Sequence, residues 1–431
     1  MQFGGVMRTV NIGLLGLGQI GSEVYRLISR KKSLFQEKYG VRFEIKKILV
    51  KSKAKKRFNR LDSKKLTTKA KDVLEDPSID LVIELIGGIN PAKKLVLQAL
   101  ANGKDVITAN KALLAEEGEE IYNTARKFGR QLFFEASVGG GIPVIKSLRD
   151  GLSANKVDSI LGIINGTSNY ILTQMSQNGV DFNSALKEAQ EKGFAELDPT
   201  FDIEGVDAAH KIAILARLSY NRKVPFKSVY CEGIQHITKQ DIDFAERFGY
   251  CIKLLAIAKQ VKDGIEARVQ PTLLPKDHML SKVDGSFNAI LFKGDEVGDV
   301  LLYGQGAGPQ PTASAVMADV IDWAKGIESF IPKVGVNHLN VKNISSILSR
   351  YYLRFSVIDK PGVLSFISGI LGKHNVSISD VIQKEQKSGT MVPLILLTYN
   401  VNEQNIRQAI KKIDSNRSMI RAKTRIIRIE G

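Results

Sequence analysis

The sequence predicts an α/β chain: a doubly wound parallel sheet, then a mixed α+β portion, then a small βαββαβ unit at the C-terminal end. Three observations predict it. Apolar runs with strand character alternate with helix-period runs along the first third; a glycine cluster separates the first strand from the first helix; and from residue 350 two helical runs sit among four strand-like runs.

In "TVNIGLLGLGQIGSEVYRLISRKK", Val10, Ile12 and Leu14 alternate with small or polar residues before the glycines, and helical spacing follows. Further strands are predicted at "FEIKKILV" (43–50), "DLVIELIGG" (80–88), "KDVITANK" (104–111) and "QLFFEASVGG" (131–140), with helices such as "PAKKLVLQALANG" between them. Strand and helix in turn imply a parallel sheet. After "GGGIPVIKSLRDGL" longer helices take over, then strands at "CIKLLAIAKQV" and "IEARVQPTLLP". The expected division is residues 1–137 for the parallel sheet, 138–302 for a substrate and dimerisation domain, 303–335 for a segment returning to the first domain, 336–349 for a linker, and 350–431 for a small unit that folds separately.

With 431 residues, 43% hydrophobic and 25% charged, the chain suits two or three soluble domains. Its longest apolar runs fall well short of the roughly 20 residues a spanning helix needs, so no membrane segment is expected. The start lacks the pattern of a secretion signal, Met7 stands just before the first strand, and Cys231 and Cys251 have neither metal nor redox spacing. These features predict a reduced, cytoplasmic setting. A net charge of +17 raises nucleic acid as a partner. The lysines of "KSKAKKRFNRLDSKKLTTKAK" (51–71), however, are accompanied by a single aromatic, Phe58, and by no nucleic-acid module, which argues against it.

Gly16, Gly18 and Gly21 form G-x-G-x-x-G between a predicted strand and a predicted helix. That context makes Gly16–Gly21, with Leu17, Gln19 and Ile20, a dinucleotide site of Rossmann type: the turn lets backbone approach a pyrophosphate, and the helix N-terminus receives its charge. An acid at the end of the second strand would serve the ribose of NAD. Here "KKILVKSKAKKR" has none, so NADP is predicted, with Lys51 and Lys53 against the 2′-phosphate; a solvated basic loop is the competing reading. "TANK" (108–111) ends a predicted parallel strand, where open α/β sheets hold ligands, which singles out Lys111 from an ordinary helix-start lysine.

"GFAELDPTFDIEGVDAAHKIAILARL" (193–218) crowds Glu196, Asp198, Asp202, Glu204 and Asp207 before Lys211. Asp207 and Lys211 are four apart, on one face of a predicted helix. Two readings fit: a surface salt bridge with helix-capping acids, or a polar pocket for a small zwitterion.

This stretch, preceded by "GIINGTSNYIL" (162–172), closely resembles the signature of homoserine dehydrogenase. "ELIGG" (84–88), "TANKALLA" (108–115), "EASVGGGIPVI" (135–145) and "GAGPQPTASAV" (306–316) are similar to its other blocks, in order, and the likeness runs from about residue 8 to 330. "FSVIDKPGVLSFISGILGKHNVSI" resembles an ACT regulatory domain of ferredoxin-like βαββαβ form, and no aspartokinase-like segment precedes the first strand, so the monofunctional type is expected.

The resemblance implies NAD(P)H-dependent interconversion of L-aspartate 4-semialdehyde and L-homoserine, in threonine and methionine biosynthesis. It implies Lys211 as proton donor to the aldehyde oxygen and Lys111 as its companion. Glu196, Asp207 and Asp202 would accept from the substrate ammonium, and the backbone at Asn165–Thr167 would seat its carboxylate. Gly87, Gly88, Gly193 and Gly306 join Lys111 on the cofactor. A monovalent cation, sodium, would sit at Glu135 with the carbonyls of Val138, Gly140 and Ile142; Gly140 lies where some relatives have alanine, a difference that a backbone ligand is expected to tolerate. His210 stands where the family has arginine and is expected to pack rather than catalyse. "DKPGVL" (359–364) and "HNVSIS" (374–379) would bind threonine as effector, and the assembly would be a homodimer or homotetramer. A related dehydrogenase acting on another amino-acid aldehyde, or an amino-acid sensor without turnover, are the other readings the residues leave open.

Overall fold

The computed structural model describes residues 7–53, 61–332, 340–383 and 391–431. It divides into two compact units: Met1–Asp158 with His210–Phe226 and Asn288–His338, and Ser159–Ala209 with Lys227–Phe287 and Leu339–Gly431.

The first unit is built on six strands: β1 (Arg8–Leu15), β2 (Val41–Leu49), β3 (Leu66–Thr67), β4 (Leu81–Glu84), β5 (Asp105–Thr108) and β6 (Leu132–Phe133). They lie in the order β3-β2-β1-β4-β5-β6, every neighbour parallel. The order reverses at β1, which sets a crevice at the carboxyl ends of β1 and β4. Val10, Ile12 and Leu14 of β1 are buried with Val24 and Ile28 of the helix Gln19–Arg30, as the alternating pattern requires. The helix Pro309–Ala324 puts Ala313, Val316 and Val320 into the same core. It follows β11 (Phe287–Gly294) and β12 (Gly298–Gln305), which are neighbours in their sheet.

Two predicted strands end early. The run 80–88 is strand only to Glu84, because Gly87 and Gly88 take φ of 81° and 67°. The run 131–140 is strand only over Leu132–Phe133; a short 3-10 turn, Glu135–Ser137, follows, and Gly139 and Gly140 turn the chain with φ of 75° and 55°. Positive φ is incompatible with an extended ladder.

In the second unit the strands are β7 (Val157–Ile163), β8 (Tyr230–Cys231), β9 (Tyr250–Val261), β10 (Gly264–Pro275), β13 (Leu348–Ile358), β14 (Ile378–Gln383), β15 (Met391–Thr398), β16 (Val401–Asn402) and β17 (Ile420–Ile429). Their main path runs β7-β9-β10-β17-β13-β15-β14. The helices Val363–Lys373 and Glu403–Ser415 cover the C-terminal strands through Ile367, Leu371, Ile406 and Ile410. The βαββαβ rhythm is present, but its last strand is shared. β17 pairs in parallel with β10 through Thr272 to Arg428 and Leu273 to Ile429, so the segment expected to fold separately continues the sheet of β9 and β10.

Ions mark this junction. Arg428, 2% exposed, gives Nε to Glu403 Oε2 at 2.8 Å and Nη2 to Glu403 Oε1 at 2.6 Å, and its Nη1 reaches Glu232 Oε2 at 3.1 Å. Tyr351 donates its hydroxyl to the same Glu403 oxygen at 2.7 Å. Glu430, next to last in the chain, receives Lys259 and Arg268. Among the described residues no helix is long and apolar enough to cross a membrane.

Candidate active site

In the first unit the sequence folds a cradle at the end of β1. A Cβ at Gly16, whose φ is 98°, would lie 2.7 Å from the Leu85 carbonyl, and one at Gly21 would strike the Gly16 carbonyl, so both positions require glycine. Gly18 differs: it opens the helix Gln19–Arg30, no side chain caps that end, and a Cβ there would meet nothing within 4 Å. An uncapped helix start with open space before it suits a pyrophosphate. The residues present therefore fit a dinucleotide. Lys51 and Lys53 follow β2; within the basic run 51–71, residues 54–60 lie outside the described residues.

The loops after β4 and β5 bring Gly87, Gly88 and Lys111 to the same sheet end. Lys111 is half-buried and is the first residue of the helix Lys111–Lys127, whose N-terminus is capped by Asn110 Oδ1 accepting from Leu113 N at 3.1 Å. Lys211 is 7% exposed and belongs to this unit as well. His210 beside it is 2% exposed, with its ring 4.2 Å from that of Phe226 and its Nε2 3.2 Å from Glu116 Oε1. The ring is thus packed inside the first unit.

The turn 135–142 is tightly held. The Glu135 carboxylate accepts from Ile145 N at 2.9 Å and Lys146 N at 2.7 Å, while Glu135 N donates to Asp319 Oδ2 at 2.9 Å. Burial pushes the Glu135 carboxyl up to about 7 against the pull of the Lys146 and Ile145 amides. Asp319 is raised too, first by burial and then by the charge of Glu135. The Ile142 carbonyl accepts from Val144 N at 2.8 Å. A Cβ at Gly140 would come within 2.5 Å of Gly306, and one at Gly306 would strike Asn288. Gly140 and Gly306 thus pack backbone to backbone. Among the described residues no cluster of three or more His, Cys, Asp or Glu could hold a metal ion, so a cation at this turn would depend on carbonyl oxygens.

In the second unit the acidic stretch organises around one amide. Asn165 caps the helix Gly166–Gln177 through Ser168 N at 2.8 Å, and its Nδ2 donates to Asp202 Oδ1 at 2.7 Å and to Asp207 Oδ2 at 2.9 Å. The Thr167 hydroxyl lies 2.7 Å from the Phe194 carbonyl and 3.0 Å from Asp202 Oδ2. Asp207 is 4% exposed. Thr167, Asp202 and Asp207 are thus brought together. Glu196 and Gly193 are instead on an exposed stretch, where the Glu196 carbonyl accepts from Gln190 at 3.1 Å. Asp198 accepts from Thr200 N at 3.1 Å, and hydrogen bonds from the Thr200 side chain and then its amide hold the Asp198 carboxyl below the usual range. Asp207 and Lys211 stand one turn apart on the continuous helix Val206–Tyr220.

The side chain of Asn165 was not foreseen, although the "NGT" start of a helix is a capping signal that could have drawn attention to it. Glu84 and Thr108 were also missed as side chains with work to do.

Comparison with known proteins identifies the family. Residues 16–135 match the family model described as homoserine dehydrogenase, NAD binding domain; 143–321 match homoserine dehydrogenase; and 351–417 match the ACT domain. A homoserine dehydrogenase of Pseudomonas aeruginosa is 42% identical over 422 residues, covering 95% of this chain and 96% of that one. The crystal structure of a homoserine dehydrogenase from Thiobacillus denitrificans superposes with a TM-score of 0.91 at 42% identity, over 98% of this chain and 99% of the other. A hyperthermophilic archaeal homoserine dehydrogenase in complex with NADPH gives 0.63 at 25% identity, over 75% and 99%. The chain belongs to the homoserine dehydrogenase family, as an NAD(P)-dependent oxidoreductase with a C-terminal ACT domain.

Proposed function

We propose that this enzyme interconverts L-aspartate 4-semialdehyde and L-homoserine, with NADP as the preferred nicotinamide cofactor. The observation that carries the reading is the pair Asp202 and Asp207 joined by Asn165, with Asp207 one helical turn before the largely buried Lys211.

When bound, the nicotinamide supplies or takes the hydride. The chain's own residues orient the substrate and move the proton. Asp207 and Asp202, with Glu196 from the exposed stretch, accept from the substrate ammonium, and backbone groups at Asn165–Thr167 seat its carboxylate. Lys211 gives the proton to the alkoxide as it forms, and Lys111 is its companion in the relay; neighbouring ammonium groups lower one another's pKa. The Gly16–Gly21 turn, Gly87, Gly88, Gly193 and Gly306 face the cofactor. Lys51 and Lys53 favour the 2′-phosphate, since two cations and no acid follow β2.

A sodium ion at the carbonyls of Val138, Gly140 and Ile142 with Glu135 would steady the turn and lower the cost of burying the Glu135 charge. The loop 359–364 borders a cavity of about 410 Å³ also lined by Gln383, whose Nε2 donates to Asp359 at 3.1 Å, and this supports an amino-acid effector, threonine, at the ACT domain. The enzyme works in the cytoplasm as a homodimer or homotetramer.

NADPH oxidation followed with L-aspartate 4-semialdehyde, with and without threonine, tests the reading. Saturable turnover supports it; NADPH binding without turnover on that aldehyde sinks it. Turnover unchanged by threonine rejects the effector alone.

A further inference from the structure

β4 and β5 lie side by side with Glu84 opposite Thr108, each the last residue of its strand. Both are 0% exposed. Glu84 Oε1 accepts from Ile86 N at 2.7 Å and Gly87 N at 3.3 Å, and Oε2 accepts from the Thr108 hydroxyl at 2.6 Å. The same hydroxyl oxygen accepts from Asn110 N at 3.0 Å. Asn110 in turn gives Nδ2 to the Gly88 carbonyl at 2.6 Å, while its Oδ1 caps the helix that Lys111 begins.

The bonds close a loop: Glu84 to the 86–87 amides, Glu84 to Thr108, Thr108 to Asn110, and Asn110 back to Gly88. Their direction is fixed by chemistry. An ionised carboxylate only accepts, so the single Thr108 proton must point to Glu84 and the hydroxyl lone pair is left for the Asn110 amide. The buried charge is tolerable because three donors meet it. A glutamine would present an NH₂ to Thr108, leaving a hydroxyl proton without its acceptor.

We propose that Glu84 is a positioning residue for the reaction: through Thr108 and Asn110 it holds the Gly87–Gly88 loop and the start of the Lys111 helix as one rigid piece. The inference rests on the reading of Gly87 and Gly88 as cofactor-facing and of Lys111 as part of the proton relay. It assigns a function in alignment to a fully buried carboxylate.

The test uses the full-length enzyme and three variants, Glu84→Gln, Thr108→Val and Thr108→Ser. NADPH dissociation is read by fluorescence, and kcat, the KM for aldehyde, the pH profile of kcat and the melting temperature are measured alongside. Glu84→Gln and Thr108→Val should each lower kcat by about 10–100-fold, since sub-ångström misplacement of reacting groups has effects of that order. They should also weaken NADPH several-fold and displace the basic limb of the pH profile. Thr108→Ser, which keeps the hydroxyl, should return all three towards wild type. Variants that melt early yet keep wild-type NADPH affinity, kcat and pH profile overturn the proposal. Should Glu84→Gln not fold, Asn110→Ser keeps a helix cap but deletes the bond to Gly88, and unchanged affinity and kcat there overturn it equally. If the wild type binds NADPH but does not turn over the semialdehyde, the functional reading falls, while NADPH affinity across the variants still decides whether Glu84 sets the loop.

Discussion

Asp202 and Asp207 take the two hydrogens of a single amide, that of Asn165, at 2.7 and 2.9 Å. Two carboxylates so close repel, and the amide between them is a neutral spacer that leaves their remaining oxygens for an ammonium. Asn165→Ala removes it. The expected result is a loss of kcat/KM for the semialdehyde of about 10–100-fold, or 1.4–2.7 kcal/mol, carried mainly by KM. Unchanged KM in steady-state assays would separate the amide from substrate binding.

Lys211→Ala should lower kcat by about 10²–10⁴-fold, the range of a lost general acid. NADPH affinity should hold, because the glycine turn is untouched. Near wild-type turnover would remove Lys211 from the proton transfer.

Replacing Lys51 and Lys53 together with alanine should weaken NADPH far more than NADH, by about tenfold or more, as charge-assisted bonds to a phosphate are lost. Equal loss for the two cofactors, measured by titration, argues for a solvated basic loop.

Gly140→Ala places a methyl within 2.5 Å of the Gly306 backbone at a φ of 55°. A drop of about 1–3 kcal/mol in unfolding free energy is expected from overpacking and backbone strain combined. Denaturant unfolding measures it, and an undiminished midpoint would mean the two glycines move apart freely.

Glu403 supplies the pH prediction. Burial would raise its carboxyl, but the hydrogen bonds and charge of Arg428 and the Tyr351 hydroxyl outweigh it and hold the group below the ordinary value. For an acid with a depressed pKa, the stabilisation is present above the unfolded value of about 4.3 and is lost as pH falls through the folded one. Glu403→Gln should therefore be less stable than wild type at pH 7, by about 3–5 kcal/mol for a broken buried pair, with the gap narrowing below pH ~4. A gap independent of pH would mean the pair is not what differs.

The elements were legible where their signals are local. The alternation in β1, the glycines after it and the helix-period run 19–30 each occupy neighbouring residues, and so does the rhythm of the C-terminal strands and helices. Asp202, Asp207 and Thr167, which the family resemblance implied as substrate-binding, are hydrogen-bonded in one cluster, whereas Glu196, implied by the same motif, is on the exposed stretch. What escaped depends on partners distant in the chain. Nothing near Asn165 says that its amide will meet residues 37 and 42 positions away, and nothing near Glu84 says that Thr108 will face it. The shortened strand at 132–133 escaped for another reason: "FFEASVGG" has strand composition, but the Glu135 carboxylate captures two amides ten and eleven residues on and turns the chain.

Strand β17 enters the sheet beside β10 within a few residues of the chain's last position, and Glu430 closes it onto Lys259 and Arg268. On that flank β8 pairs with Arg268 and Val269, and β17 alone covers Thr272 and Leu273. Removing the C-terminal segment would strip the partner from that stretch of β10, and the truncated product should be prone to edge-to-edge association.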